Sequence, residues 1–253
     1  MSQALDTILA EIRSTCSAGV SHLTHRPLLV FDLDSTLFDL TLRVTAILEH
    51  FAQNAENRAR FPDLCEKLMQ AEIRRSDWGL REPLARLGLH EHEHREFFES
   101  VHAHWARGFF SNDYLDRDFP LPGAVDFVKN GIEAGADVLY LTGRDTARMQ
   151  AGTVKSLSAH GFPNDGVRAR LGLKPDRRLD DAEFKAEIIA DLALNHRPIW
   201  LFENEPVNIN AVLRRTPQVG IVFIDTCHSG VEEVKIALAK IPHFEISRRE
   251  LDT

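Results

Sequence analysis

Residues 28–40 read LLVFDLDSTLFDL, four apolar residues that run without a break into Asp32 and Asp34. An uninterrupted apolar run this short suits a strand buried on both faces, the usual state in a parallel sheet. Working outward, the same grammar returns three times: DVLYL before Thr142, PIWLF before Glu203 and VGIVFI before Asp225. Helical patterns lie between, over about residues 123–134, 146–160, 181–194 and 205–214. The first two are closed by Gly135 and Gly161, the residue expected just past a last helical turn. Strands alternating with helices predict an α/β fold with a parallel sheet and right-handed crossovers. Ligands of such sheets gather beyond the carboxyl ends of the strands, and three of the four runs end in side chains suited to chemistry.

One interval breaks the rhythm. From about residue 42 to 118 the chain offers only helix-like patterns, such as VTAILEHFAQNAENRARF and HEHREFFESVHAHWARGFF. That is long for a crossover and predicts a helical module inserted over residues 41–120, with residues 1–40 and 121–253 forming the core. The stretch from Phe119 to Gly123 reads as the return linker. Upstream, Leu5, Ile8, Leu9 and Ile12 share one face of an amphipathic helix.

Composition limits the function. With 30 basic and 38 acidic residues the net charge is −8, the wrong sign for a chain whose task is to hold nucleic acid. No long apolar run suggests a membrane span or a secretory leader. Cys16, Cys65 and Cys227 are widely spaced and never in a CxxC pair, so a reducing compartment and a cytoplasmic location are expected.

The chemistry begins at Asp32 and Asp34. An isolated pair of this spacing is most simply a strand end or helix cap. Two carboxylates converging at a strand end repel one another, however, and a divalent cation is a usual remedy beside a phosphate. Thr142 and Gly143 follow the second run, where a hydroxyl and free N–H groups at a helix start could hold an anion or merely cap the helix. Arg144 could reach a ligand or be solvated. The fourth site of interest is FENEPVN, with Glu203, Asn204 and Glu205 after the third run and Asn208 beyond them.

FDLDSTLFD resembles the first motif of the haloacid-dehalogenase superfamily, a hydrophobic strand followed by DxDxT, and later motifs fall in the family's order over residues 27–40 and 120–230. The resemblance implies a Rossmann-like core with an inserted all-α cap that closes over the site. It implies a magnesium-dependent phosphatase acting on a small soluble phosphorylated substrate: Asp32 is the nucleophile that forms an aspartyl phosphate, and Asp34 the general acid and base. Thr142 would hold the phosphoryl group, with Gly143, Arg144 and Lys174 at the substrate. A lysine must neutralise the nucleophile and phosphoryl oxygens; Lys185 stands where the family places it, and Lys174 is the alternative. Magnesium would lie among Asp32, the Asp34 carbonyl, Glu203 and Asn204. Here the chain departs from the family, which carries two acids or Gly-Asp at this strand end, so weaker metal binding is expected. The same residues would serve a phosphotransferase or mutase, and the altered fourth motif admits a weakly catalytic protein that binds a phosphorylated ligand. Dehalogenation is disfavoured by Asp34, since a halide leaves without a proton.

Several features read as plain structure. His90, His92, His94, His102 and His104 suit a solvated helix better than a second metal site, and Cys227-His228 a loop better than a nucleophile and base. Trp78, Trp105, Phe109 and Phe110 could line a substrate pocket between insert and core or fill the insert's own core, the commoner use of such rings.

Overall fold

The computed structural model describes residues 3–17, 26–234 and 236–246. The four apolar runs become strands β1 (Leu28–Phe31), β4 (Asp137–Asp145), β6 (Ile199–Glu203) and β7 (Gly220–Ile224). They form the centre of a six-stranded sheet of order β5-β4-β1-β6-β7-β8, all neighbours parallel. The two outer strands, β5 (Ala169–Lys174) and β8 (Ala239–Ile241), are not among the four runs. Their reason is positional: ARLGLK at one edge and AKI at the other need not be apolar on both faces, so they lack the uninterrupted run.

Helices α7 (Ala124–Ala134), α8 (Thr146–Ala159), α9 (Asp181–Leu192) and α10 (Pro206–Arg215) connect the strands, and α1 (Gln3–Ser17) packs on α7. In α1 the face of Leu5, Ile8, Leu9 and Ile12 is buried. The sheet thus separates two apolar layers. Leu29, Phe31 and Phe202 belong to one; Val30, Leu201 and Phe223 belong to the other.

Between β1 and β4 lie helices α2 (Thr41–Gln53), α3 (Ala55–Arg60), α4 (Pro62–Leu68), α5 (Arg81–Arg86) and α6 (Arg95–Phe109). They carry a third apolar cluster of their own, with Leu48, Phe51, Phe97 and Val101 at its centre. The two chain crossings into this insert are joined by a short antiparallel pair, β2 (Phe38–Asp39) with β3 (Phe119–Pro120). Among the described residues, no helix is long and apolar enough to cross a membrane.

Aromatic packing sets the strand ends that matter. Phe31 stacks on Phe202 at 4.6 Å between centroids, and Phe127 and Phe244 close around both. Phe31 precedes Asp32 and Phe202 precedes Glu203, so a rigid ring cluster lies directly beneath the two carboxylates. Gly123 clamps the same region: it has φ of 76°, and a Cβ there would meet the Phe244 and Glu245 backbone at 2.6 Å. Gly88 has a similar φ of 69° with nothing nearby. Gly123→Ala is therefore expected to cost about 3 kcal/mol and Gly88→Ala only about 1 kcal/mol, as read from urea unfolding midpoints.

Candidate active site

Asp32 leaves the end of β1 at the centre of the sheet, where its backbone N–H donates to the Phe202 carbonyl. Its carboxylate is 5% exposed and faces a cavity of about 440 Å³ between the sheet and the helical insert. Lys185 reaches it from α9. On that helix Ala182, Lys185, Ala186 and Ile189 share the buried face, so the lysine stem runs through apolar surroundings before its ammonium emerges. Nζ lies 2.6 Å from Asp32 Oδ1 and 2.6 Å from Glu203 Oε2. Lys174 is elsewhere: it pairs with Asp181 and donates to the Leu179 carbonyl at 3.0 Å. The pair of Lys174 and Asp181 instead supports the strand end, since a Cβ on Gly143 would meet Asp181 Oδ2. Lys174 thus lies behind the site, away from the substrate position expected for it.

Burial, with Glu203 and Asp34 close by, raises the Asp32 pKa to about 7 against the pull of Lys185. For Lys185 burial opposes the charge, but Asp32 and Glu203 outweigh it and hold the ammonium protonated. Glu203 is fully engaged. Its Oε1 accepts from the N–H groups of Asn204 and Glu205, both at 3.0 Å, and its Oε2 accepts from Lys185 and from Asn208 Nδ2 at 3.2 Å.

Thr142, Gly143 and Arg144 occupy an irregularity in β4, where the register with β5 shifts between Leu141 and Asp145. Bulges of this kind re-aim side chains at sheet ends. Thr142 and Gly143 line the cavity beside Asp32. The following helix start is not the anion site anticipated: Asp145 caps α8, accepting from the Arg148 N–H at 3.0 Å and pairing with the Arg148 side chain.

Arg144 is neither solvated nor free for a ligand. It is 2% exposed and belongs to a buried square of charges. Arg144 Nη2 donates to Asp34 Oδ1 at 2.5 Å and to Asp118 Oδ2 at 2.6 Å, and Nε donates to Asp34 Oδ2 at 3.1 Å. Arg43, on α2 and wholly buried, donates to Asp34 Oδ1 at 2.5 Å, with Nε 3.0 Å from Asp118 Oδ1. Burial alone would raise the Asp34 pKa; Arg144 and Arg43 overturn this and hold it far below the usual carboxylate range. A group that must give a proton to a leaving oxygen needs the opposite shift, so this geometry corrects the general-acid role expected of Asp34. Arg43 and Asp118 carried no signal in the sequence, being one charge in a helical pattern and one in a linker.

Glu203 fits magnesium poorly, and the other expected ligands fit it better. A carboxylate oxygen has about two acceptor positions, and both oxygens of Glu203 have theirs filled. Asn204 Oδ1 accepts from Thr36 Oγ1 at 3.0 Å, while its Nδ2 donates to the Cys227 carbonyl at 2.6 Å. Asp32 Oδ2, the second acceptor position of Asn204 Oδ1 and the Asp34 backbone carbonyl accept none of the described hydrogen bonds, and magnesium commonly completes such a partial set with water and phosphate oxygens. Among the described residues no group of three His, Cys, Asp or Glu side chains is placed to hold a metal, and that includes the histidine run of the insert. Of the expected set of Asp32, the Asp34 carbonyl, Glu203 and Asn204, only Glu203 has both oxygens fully used by hydrogen bonds.

Trp105 and Phe109 pack against the insert's own core, as expected, while Trp78 and Phe110 are not part of it. All four line the cavity, together with Arg74, Arg75 and Asp77 of the loop between α4 and α5. Cys227 lies in the loop after β7, with its Sγ 3.3 Å from Ser35 Oγ, and Ser35 itself takes a left-handed φ of 61° in the turn that follows Asp34.

No protein-family model matches the chain, and no curated protein does. Solved structures do match over most of the chain. A hydrolase of the haloacid-dehalogenase superfamily from Ehrlichia chaffeensis is 10% identical, with 86% of this chain and 91% of that one covered and a TM-score of 0.48. A protein described as a predicted phosphatase from Clostridium acetobutylicum is 11% identical, with 79% and 84% covered and a TM-score of 0.47. A haloacid-dehalogenase-like hydrolase from Streptococcus pneumoniae is 12% identical, with 80% and 93% covered and a TM-score of 0.46. Likenesses of this strength carry no argument about activity, for which the geometry must speak.

Two outcomes follow from this geometry. Lys185→Met leaves two buried carboxylates facing each other and is expected to cost about 3–5 kcal/mol in chemical unfolding, with Asp32→Asn in the same chain recovering part of the loss. Magnesium at about 10 mM is expected to raise the melting temperature by mass action, and to raise it less in Asp32→Asn, which loses the carboxylate ligand.

Proposed function

We propose that the chain hydrolyses phosphate monoesters through Asp32. The observation that carries this reading is that Asp32, its ion-pair partner Lys185 and Thr142 line one cavity. A nucleophilic carboxylate, a fixed ammonium and a hydroxyl beside it make up the minimum for aspartyl-phosphate chemistry.

In the first step an Asp32 oxygen attacks phosphorus, the ester P–O bond breaks, and the leaving oxygen departs with the bonding pair. Lys185 offsets the charge shared by Asp32 and the phosphoryl oxygens. The Thr142 hydroxyl orients the phosphoryl group. In the second step water attacks phosphorus, the bond from phosphorus to the Asp32 oxygen breaks, and inorganic phosphate leaves carrying the water's protons, with the Asp32 carboxylate restored. Asp34 supplies no proton in the first step, so leaving groups stable as anions are favoured. The magnesium implied by the family resemblance would be held by Asp32, the Asp34 carbonyl and Asn204, and would offset charge on the phosphoryl oxygens.

A second reading, a protein that binds a phosphorylated ligand without turning it over, is favoured by the committed state of Glu203 and Asn204. Phosphate release from p-nitrophenyl phosphate separates the two. Hydrolysis that disappears in Asp32→Asn supports the first, and binding without release by folded protein supports the second. Since Asp32 must be ionised to attack, kcat/KM is expected to fall about tenfold per pH unit below about 7, measured as phosphate release against pH.

A further inference from the structure

The cavity has two chemically unlike ends. Its floor carries Asp32, Lys185 and Thr142, while the insert contributes a wall of Trp78, Trp105, Phe109 and Phe110 backed by Ile73. Trp105 and Phe109 pack at 4.8 Å between centroids, and Phe109 and Phe110 at 5.1 Å, edge to face. Trp78 and Phe110 stay 47% and 38% exposed. Both rings line the cavity, Phe110 with Arg148 5.3 Å over its face, so they offer aromatic surface to a ligand held there.

The charged groups of the same wall are partly engaged. Arg74 donates to Glu72, Arg75 to Asp39 through Nε alone, and Asp77 accepts from Arg86 and from the Arg74 N–H. A polyhydroxylated leaving group would exchange water for a wall that is mainly apolar rings, with arginine donors at one part of it. A flat ring gives up little hydration and gains face and edge contacts with indole and phenyl groups. A cavity of about 440 Å³ accommodates a ring system together with a phosphoryl group.

We propose that the substrate is a phosphate monoester whose leaving group carries an aromatic ring, with its phosphoryl end at Asp32 and its ring against Trp78 and Phe110. The proposal rests on the phosphoryl reading of the floor. It goes further by committing to one class of leaving group and to the residues that select it.

The test is equilibrium binding of phenylphosphonate and methylphosphonate, neither of which has an ester bond to cleave, to the full chain by calorimetry and tryptophan fluorescence. Phenylphosphonate is expected to bind at least about tenfold more tightly. Trp78→Ala, at a half-exposed loop position, is expected to remove about fivefold of that preference while leaving methylphosphonate binding unchanged, and Trp78→Phe to restore part of it. Phe110→Ala provides a second variant. Equal affinities, or a preference unmoved by both alanine variants, overturn the proposal. Turnover arms with phenyl phosphate, a nucleoside 5′-monophosphate and glucose 6-phosphate place the ring: phenyl phosphate foremost puts it on the ester oxygen, the nucleotide foremost puts it at the distance of a base. Glucose 6-phosphate foremost overturns the aromatic proposal and leaves the hydrolytic reading standing. The expected phosphonate preference with no ester turned over supports the aromatic site and sinks hydrolysis.

Discussion

A buried ammonium between two carboxylates organises this site. Lys185 sits 2.6 Å from both Asp32 and Glu203, and each of the three charges would be costly in that place without the others. The ammonium links α9 to the ends of β1 and β6, so the crossover helix and two central strands must meet in one register. The Phe31 and Phe202 stack beneath supplies the rigidity that lets the contact be short. Glu203 holds the adjoining turn as well, through the N–H groups of Asn204 and Glu205. A single charge cluster therefore shapes both the nucleophile and the loop beside it.

A second cluster, Asp34 with Arg43, Asp118 and Arg144, serves a different end. Its members come from the turn after β1, the first helix of the insert, the return linker and the bulge of β4. Both passages into the insert are thereby fastened to the sheet beside Asp32. Two guanidiniums for two carboxylates balance the buried charge, and the fork geometry of arginine allows one side chain to serve both acids. The same fastening keeps Asp34 ionised, which separates its chemistry from that of Asp32 two residues away. Burial raises the pKa of one and paired cations lower that of the other, so neighbours of the same residue type have opposite proton affinities.

The cavity joins these clusters to an apolar wall. The phosphoryl end is crowded with committed charges, while the far end is aromatic and partly open. This division narrows the chemistry more than the sheet does, because an α/β sheet of this order hosts many reactions and the side chains at its edge choose among them.

The periodicity of the chain was enough to place β1, β4, β6 and β7 and the helices between them, because strands buried on both faces need uninterrupted apolar runs. It also marked Asp32, Thr142 and Glu203, which stand at those strand ends, while Lys185 was singled out, with Lys174 as alternative, by the family resemblance. Outer strands β5 and β8 escaped, since an edge position relaxes the same demand. Partnership escaped more completely. Whether Lys185 or Lys174 meets Asp32, whether Arg144 faces solvent or Asp34, and whether Glu203 has an oxygen to spare are matters of which side chains converge from distant segments. Arg43 and Asp118 lie 75 positions apart in sequence yet meet at 3.0 Å. Local pattern records the demand of one segment for burial or capping; hydrogen-bond occupancy and charge pairing depend on several segments at once, and only the tertiary fold decides them.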